Sequence, residues 1–145
     1  MKYLTSTLFI YLILTSSNLF SQNGSLLYQW DGALADDWFG RSVSNAGDVN
    51  GDGTPDLIVG GHGIDINGSS SGSAYVYSGT DGSLIYQWNG LSSYDYFGVA
   101  VSTAGDMNND GYDDVIIGAY SSDHSGPNGT VYDAGSAYVY SGVNG

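Results

Sequence analysis

The chain has no cysteine and no glutamate, and its 145 residues include one lysine and one arginine. Without cysteine, the protein can form neither disulfides nor thiolate metal sites. The 15 aspartates give it a formal net charge of −13 at pH 7. A surface with so few cations cannot neutralise the phosphates of nucleic acids or of anionic membranes. We therefore expect no nucleic-acid partner.

Proline is scarce and glycine is abundant, with 2 and 23 residues respectively. This balance suits many short strands joined by tight turns. A hydrophobic content of 41% and 13 tyrosines argue against disorder, which requires few aromatic and apolar residues. After the N-terminal region, no segment has the apolar periodicity of a helix. The composition therefore predicts an all-β protein.

Long hydrophobic runs are also missing. The apolar run of residues 8–14 is too short for a helix to span a bilayer core of ~30 Å. Lys2 precedes this run, and small and polar residues follow it up to Ser21, as in a secretory signal peptide. We predict that residues 1–21 are a signal peptide, with a membrane anchor as the alternative. After cleavage the chain would have no membrane span, and Arg41 would be its one fixed cation. We expect the protein to be secreted or at the cell surface, with the periplasm as the alternative.

The sequence repeats itself. Asn23–Gly61 aligns without a gap to Asp81–Ala119, with 21 identities in 39 positions, and Gly72–Gly79 returns unchanged as Gly135–Gly142. Between these matches the second copy carries an insertion of five residues within Tyr120–Ala134. Repeats of this length are typical of arrays whose units cannot bury their apolar faces alone. We predict two repeats within residues 22–145, at about 23–80 and 81–142, in an array cut at residue 145.

Each repeat contains four short segments with the pattern of β strands. The first set is Leu26–Trp30, Gly40–Gly47, Asp56–Gly60 and Ser73–Ser78, and the second set is Leu84–Trp88, Gly98–Gly105, Asp114–Gly118 and Ser136–Ser141. Four-stranded antiparallel units in tandem are typical of β-propeller blades. Only the middle four strands would form a whole blade. The aromatic residues on the strands are expected to pack between blades, with a carbohydrate-stacking surface as the alternative.

Two loops share the pattern D-x-N-x-D-G-x-x-D, at Asp48–Asp56 and Asp106–Asp114. Oxygen-bearing side chains recur at positions 1, 3, 5 and 9, and a hard divalent cation prefers six to eight oxygens. The glycine at position 6 permits a positive φ. Three carboxylates this close repel one another unless a cation neutralises them. The pattern predicts two Ca²⁺ sites, with a metal-free Asx-rich turn as the alternative.

The predicted ligands are four side chains and one main-chain carbonyl in each loop. The side chains are Asp48, Asn50, Asp52 and Asp56 in the first loop and Asp106, Asn108, Asp110 and Asp114 in the second, and the carbonyls are those of Thr54 and Tyr112. An EF-hand requires an acidic residue at position 12 of its loop. That position holds Val59 in one copy and Ile117 in the other, which excludes the EF-hand.

Three features together carry a family resemblance. Phe39-Gly40 and Phe97-Gly98 precede the two acidic loops, and Gly60-Gly61 and Gly118-Ala119 end the apolar strand after each loop. In these features the chain resembles the FG-GAP repeats of the integrin α-subunit N-terminal propeller and of many secreted bacterial proteins. The resemblance implies a propeller of roughly seven blades, with calcium in the hairpin loops between the first two strands of a blade.

The sequence offers little for catalysis. Hydrolysis requires a nucleophile–base pair or two acids in different environments, whereas the repeated acids belong to the loops, and His62 and His124 lie at non-equivalent positions. The leading hypothesis is a non-catalytic, calcium-binding propeller segment of an exported protein that serves cell adhesion or binds an extracellular protein or glycan. One alternative is an accessory propeller of a larger secreted hydrolase or lyase. Another is a self-assembling structural repeat, and further repeats or self-association are expected to close the propeller.

Overall fold

A computed structural model describes residues 24–127 and 129–145, so the predicted signal peptide lies outside the described residues. The described residues form nine β strands and no helix, which confirms the all-β prediction. No helix long and apolar enough to cross a membrane occurs in this part of the chain. The strands are β1 (Ser42–Gly47), β2 (Asp56–Gly61), β3 (Ser73–Tyr77), β4 (Leu84–Asn89), β5 (Ala100–Gly105), β6 (Asp114–Ala119), β7 (His124–Gly126), β8 (Gly129–Val131) and β9 (Ser136–Tyr140).

The strands form two antiparallel sheets and one hairpin. The first sheet has the order β1-β2-β3-β4, and the second has the order β5-β6-β9. We call these sheets the first and second blades. Strand β4 opens the second repeat but pairs with β3 of the first, so the middle four strands form the complete blade, as predicted. The β7–β8 hairpin lies within the insertion and was not predicted.

The prediction of a strand at Leu26–Trp30 was wrong, because these residues pair with no strand in the described part of the chain. Their counterpart β4 is a strand because it lies beside β3. The side chains nevertheless lie where they would in a blade. The Trp30 indole stacks on Tyr77 with ring centroids 4.4 Å apart, as Trp88 stacks on Tyr140 at 4.6 Å. The segment thus makes the side-chain contacts of a fourth strand, but in the described part of the chain its main chain is not hydrogen-bonded to a neighbouring strand.

The core lies between the two blades. Ile58, Ala74 and Val76 of the first blade and Val115 and Ile117 of the second are each at most 1% exposed and belong to one cluster. Apolar residues on facing sheets interdigitate in this way and exclude water. The packing between blades, more than either sheet alone, therefore buries the apolar side chains.

Candidate functional site

Both acidic loops connect the first two strands of a blade. Asp48 directly follows β1 and Asp56 begins β2, while Asp106 directly follows β5 and Asp114 begins β6. The β1–β2 and β5–β6 pairs are antiparallel, and each has a register shift at the glycine that ends its first strand. The loops therefore occupy equivalent hairpin corners on successive blades.

The side chains at positions 1, 3 and 5 of the first loop turn inward onto its main chain. The Asp48 carboxylate accepts the N–H groups of Asp52 at 3.0 Å and Gly53 at 2.9 Å. The Asn50 side-chain oxygen also accepts the Asp52 N–H, at 2.8 Å. The Asp52 carboxylate accepts the Thr54 N–H at 2.8 Å, and this bond lowers the pKa of Asp52. Three oxygen-bearing side chains thus line one tightly curled loop.

Asp56, at position 9, anchors the base of this loop. Its carboxylate is fully buried and accepts the Val49 N–H and the Gly79 N–H, both at 3.0 Å. Burial raises the pKa of Asp56 above its ordinary value, and the charges of Asp52 and Asp48 act in the same direction, against the two N–H bonds. The site therefore contains a buried carboxylate whose ionisation is disfavoured by burial and by the negative charges of Asp48 and Asp52.

The second loop reproduces this network. Asp106 accepts the N–H groups of Asp110 and Gly111, both at 3.0 Å, and Asn108 accepts the Asp110 N–H at 3.0 Å. Asp114 accepts the Met107 N–H at 3.0 Å and the Gly142 N–H at 3.2 Å. Because two different sequences form the same network, the pattern itself determines the loop conformation.

Comparison with known proteins identifies the repeats. The sequence model of the FG-GAP repeat matches residues 39–77 and 97–140, more than half of the chain. The chain belongs to the FG-GAP repeat family. It is 36% identical over 105 residues to integrin alpha-5 of Xenopus laevis, covering 72% of this chain, and 32% identical over 127 residues to integrin alpha-6 of Gallus gallus, covering 81%. The chain spans about a tenth of the length of these relatives.

FG-GAP repeats form β-propeller blades, so the sequence match identifies the two antiparallel sheets as propeller blades. The family resemblance inferred from the Phe-Gly pairs, the acidic loops and the glycines after them is confirmed. The matched stretches begin at Phe39 and Phe97 and contain both acidic loops. They leave out Leu26–Trp30 and β4, which follows from the position of these segments before each Phe-Gly pair.

The donor atoms of both loops suit a hard cation. Carboxylate, amide and carbonyl oxygens are the ligands that Ca²⁺ takes, and a carboxylate oxygen that accepts one N–H keeps a second lone pair. The described side chains do not, however, bring three acidic or histidine groups together as a metal cluster. The reason is local: the carboxylates are directed at loop N–H groups, and Asp56 faces the base of the hairpin.

One acidic residue of the site was missed by sequence reasoning. The Asp113 carboxylate accepts the Asp48 N–H at 2.9 Å, and the Asp113 N–H donates to the Asp48 carbonyl at 3.1 Å. Asp113 is aligned with Pro55 in the repeat, so the pattern gave no reason to select it. Asp113 therefore links the two loops by hydrogen bonds and adds a further negative charge beside them. Residues 24–145 contain one lysine or arginine, Arg41, to balance these charges.

A row of aromatic rings lies at the opposite end of the strands. Trp38 precedes the Phe-Gly pair before β1, and His62 follows β2, with ring centroids 6.2 Å apart. Across the blade boundary, His62 lies 6.1 Å from Tyr96, which stacks on Tyr120 at 5.0 Å. Trp38 and Tyr120 are more than half exposed. We call these four residues the aromatic row, and they offer an apolar surface across both blades.

Proposed function

We propose that the chain is a non-catalytic, calcium-binding FG-GAP propeller segment of an exported protein that binds an extracellular protein or glycan. The observation that carries this proposal is the acidic loop, formed twice with the same internal hydrogen bonds. The proposed ligands are Asp48, Asn50, Asp52, Thr54 and Asp56 in one loop and Asp106, Asn108, Asp110, Tyr112 and Asp114 in the other, with Thr54 and Tyr112 contributing carbonyl oxygens.

Charge supports a cation in these loops. Asp48 and Asp52 oppose the ionisation of the buried Asp56, and residues 24–145 contain a single fixed positive charge. A divalent cation would convert this repulsion into attraction and hold the turn in one conformation. A cation that binds only the folded chain stabilises it by about 2.7 kcal/mol per site at 100 times its dissociation constant.

Thermal unfolding tests the proposal. We expect millimolar CaCl2 to raise the Tm and EDTA to lower it, and Asp52→Asn combined with Asp110→Asn to abolish the calcium-dependent part. Asp31→Asn is the matched control, because Asp31 is exposed and, within the part of the chain that the structure describes, its side chain bonds only to that of Gln29. A Tm that is the same in calcium and in EDTA would remove the metal assignment.

The proposed extracellular ligand binds at the aromatic row. Exposed aromatic faces at the end of a rigid sheet provide large contact area at low entropic cost. A glycan array and a screen of extracellular matrix proteins test this, with Trp38→Ala and Tyr120→Ala expected to weaken any interaction at least tenfold. If both variants bind as the parent does, the ligand surface lies elsewhere.

The proposed location is secreted or at the cell surface, with periplasm as the alternative, and cell fractionation of the full-length precursor tests it.

A further inference from the structure

The first acidic loop is held at its start by a residue of the second. Both hydrogen-bonding groups of the Asp48 main chain pair with Asp113: the Asp48 N–H donates to the Asp113 carboxylate at 2.9 Å, and the Asp48 carbonyl accepts the Asp113 N–H at 3.1 Å. The side chain of Asp48 in turn accepts the N–H groups of Asp52 and Gly53. The hydrogen bonds inside the first loop therefore start from a residue whose main chain Asp113 holds in place.

Two glycines make room for the second loop. Gly47 ends β1 with a φ of +79°, and a Cβ added to it would overlap the Asp113 carboxylate. A Cβ added to Gly51, in the middle of the first loop, would lie 2.6 Å from a ring carbon of Tyr112. The main chain of the first loop thus lies directly against two side chains of the second, a contact that a Cβ at either glycine would disturb.

Asp113 lies between two proposed ligands of the second loop. The Tyr112 carbonyl precedes it in the chain, and the Asp114 carboxylate follows it. A cation held by both would fix the main chain of the residue between them, and with it the two hydrogen bonds to Asp48. In the first loop this place in the pattern is taken by Pro55, which has neither a carboxylate nor an N–H. The second loop can therefore order the first through Asp113.

We infer that Asp113 couples the two calcium loops, so that a cation in the second loop raises the calcium affinity of the first by holding Asp48 in its binding position. The inference rests on the proposed function, since it takes both loops as calcium sites. Binding that orders shared residues lowers the entropic cost of the next binding event, which gives positive cooperativity. The coupling is reciprocal, so a cation in the first loop raises the affinity of the second by the same factor. We expect a factor of about five, the lower end of the usual range, because two hydrogen bonds carry the coupling.

The charges of the second loop, taken alone, would couple the sites with the opposite sign. A cation in that loop repels a cation in the first, and at 0.15 M salt this repulsion is screened beyond about 8 Å. The variant Asp110→Asn removes one of the three carboxylate ligands of the second loop. Its empty loop is then more negative by one charge than the filled loop of the parent chain, so electrostatics would strengthen calcium binding in the first loop. A weaker first loop in this variant therefore reports ordering through Asp113.

Calcium titration followed by NMR tests the inference one site at a time. The N–H groups of Gly53 and Gly111 report the first and second loops, because each donates to the first carboxylate of its own loop. In the isotope-labelled, chelator-treated chain, we expect Asp110→Asn to abolish the response of Gly111 and to move the Gly53 midpoint to about fivefold higher calcium. Asp52→Asn should abolish the response of Gly53 and move the Gly111 midpoint by the same factor, because coupling is reciprocal.

Three variants of Asp113 test whether this residue carries the coupling. Asp113→Pro introduces the residue that the first loop has at this place and removes both hydrogen bonds, while Asp113→Ala removes only the carboxylate and serves if the proline variant does not fold. Asp113→Asn is the matched control, because it loses the charge but keeps an acceptor oxygen and the N–H. In a double-mutant cycle, the effect of Asp110→Asn on the Gly53 midpoint should vanish with proline, shrink with alanine and persist with asparagine. Near-UV circular dichroism monitors folding.

Each other outcome contradicts a different step. Two bound ions with a Gly53 midpoint that Asp110→Asn leaves unchanged would overturn the coupling and leave both calcium sites in place. A midpoint at lower calcium would overturn it as well, because charge would then outweigh ordering. Coupling of full size in Asp113→Pro would overturn the role of Asp113. If neither glycine of the parent chain responds to calcium, the proposed function fails and the inference fails with it.

Discussion

Replacing Asp56 with asparagine tests the acidic loop at its most buried point. Both carboxylate oxygens accept main-chain N–H groups, those of Val49 and Gly79, each at 3.0 Å. Asparagine keeps one oxygen and places an NH2 group against the other N–H. A buried N–H that loses its acceptor costs about 1–3 kcal/mol. The loss is offset in part, because the variant also removes a negative charge that Asp48 and Asp52 repel.

We therefore expect Asp56→Asn to lower the free energy of unfolding by about 1 kcal/mol in EDTA, the lower end of that range. In calcium the loss should be larger, since the variant also removes a proposed ligand and its charge. Urea unfolding at one fixed protein concentration, in EDTA and in calcium, measures both values. Asp114→Asn should behave alike, because its carboxylate accepts the Met107 and Gly142 N–H groups.

The exposed Asp31→Asn control should change the free energy of unfolding by less than about 0.5 kcal/mol. If Asp56→Asn unfolds with the control's free energy in both conditions, the buried carboxylate does not stabilise the loop, and the reasoning from its hydrogen bonds fails.

Two further predictions concern the blade interface and acid stability. Gly60→Ala should lower the free energy of unfolding by about 1–3 kcal/mol, because its Cβ would collide with the Gly98 carbonyl and push the blades apart. Urea unfolding measures this loss against the control Gly126→Ala, and equal free energies of unfolding for the two variants would contradict it. His62 has a pKa below its ordinary 6.5, because burial and the charge of Arg41 disfavour its protonation. The unfolded chain therefore binds the proton first, and stability falls as pH drops below about 6.5. His62→Gln should remove part of that fall between pH 7.5 and 5.5, and an unchanged pH profile would refute the assignment.

Local sequence patterns predicted most of the fold. The apolar run Leu57–Val59 lies inside β2, and the alternation of Ala74 and Val76 with tyrosines lies on β3, because these patterns depend on the strand period of two. Strands β1 and β5 begin two residues later than predicted. Gly40 and Gly98 have φ values of +82° and +84°, so both form turns. The acidic pattern predicted the turn of a hairpin, because its glycines permit the left-handed backbone conformation that the turn requires.

Features that depend on neighbouring segments could not be predicted in this way. Leu26–Trp30 and β4 have nearly the same sequence, yet only β4 is a strand, because only β4 lies beside a partner. The β7–β8 hairpin begins with His124, Ser125 and Gly126, which have no apolar alternation to indicate a strand. The contact between Asp113 and Asp48 arises from the placement of one blade on another, which no pattern within either loop encodes.

Calcium stoichiometry tests the proposed function most directly. Isothermal titration of the chelator-treated chain should give two calcium ions per chain, and one when Asp52 and Asp56 are both replaced by asparagine. Replacing Asp110 and Asp114 in the same way should also leave one. A parent chain that binds no calcium at millimolar concentration, or loop variants that keep both ions, would contradict the assignment of Asp48–Asp56 and Asp106–Asp114 as calcium loops.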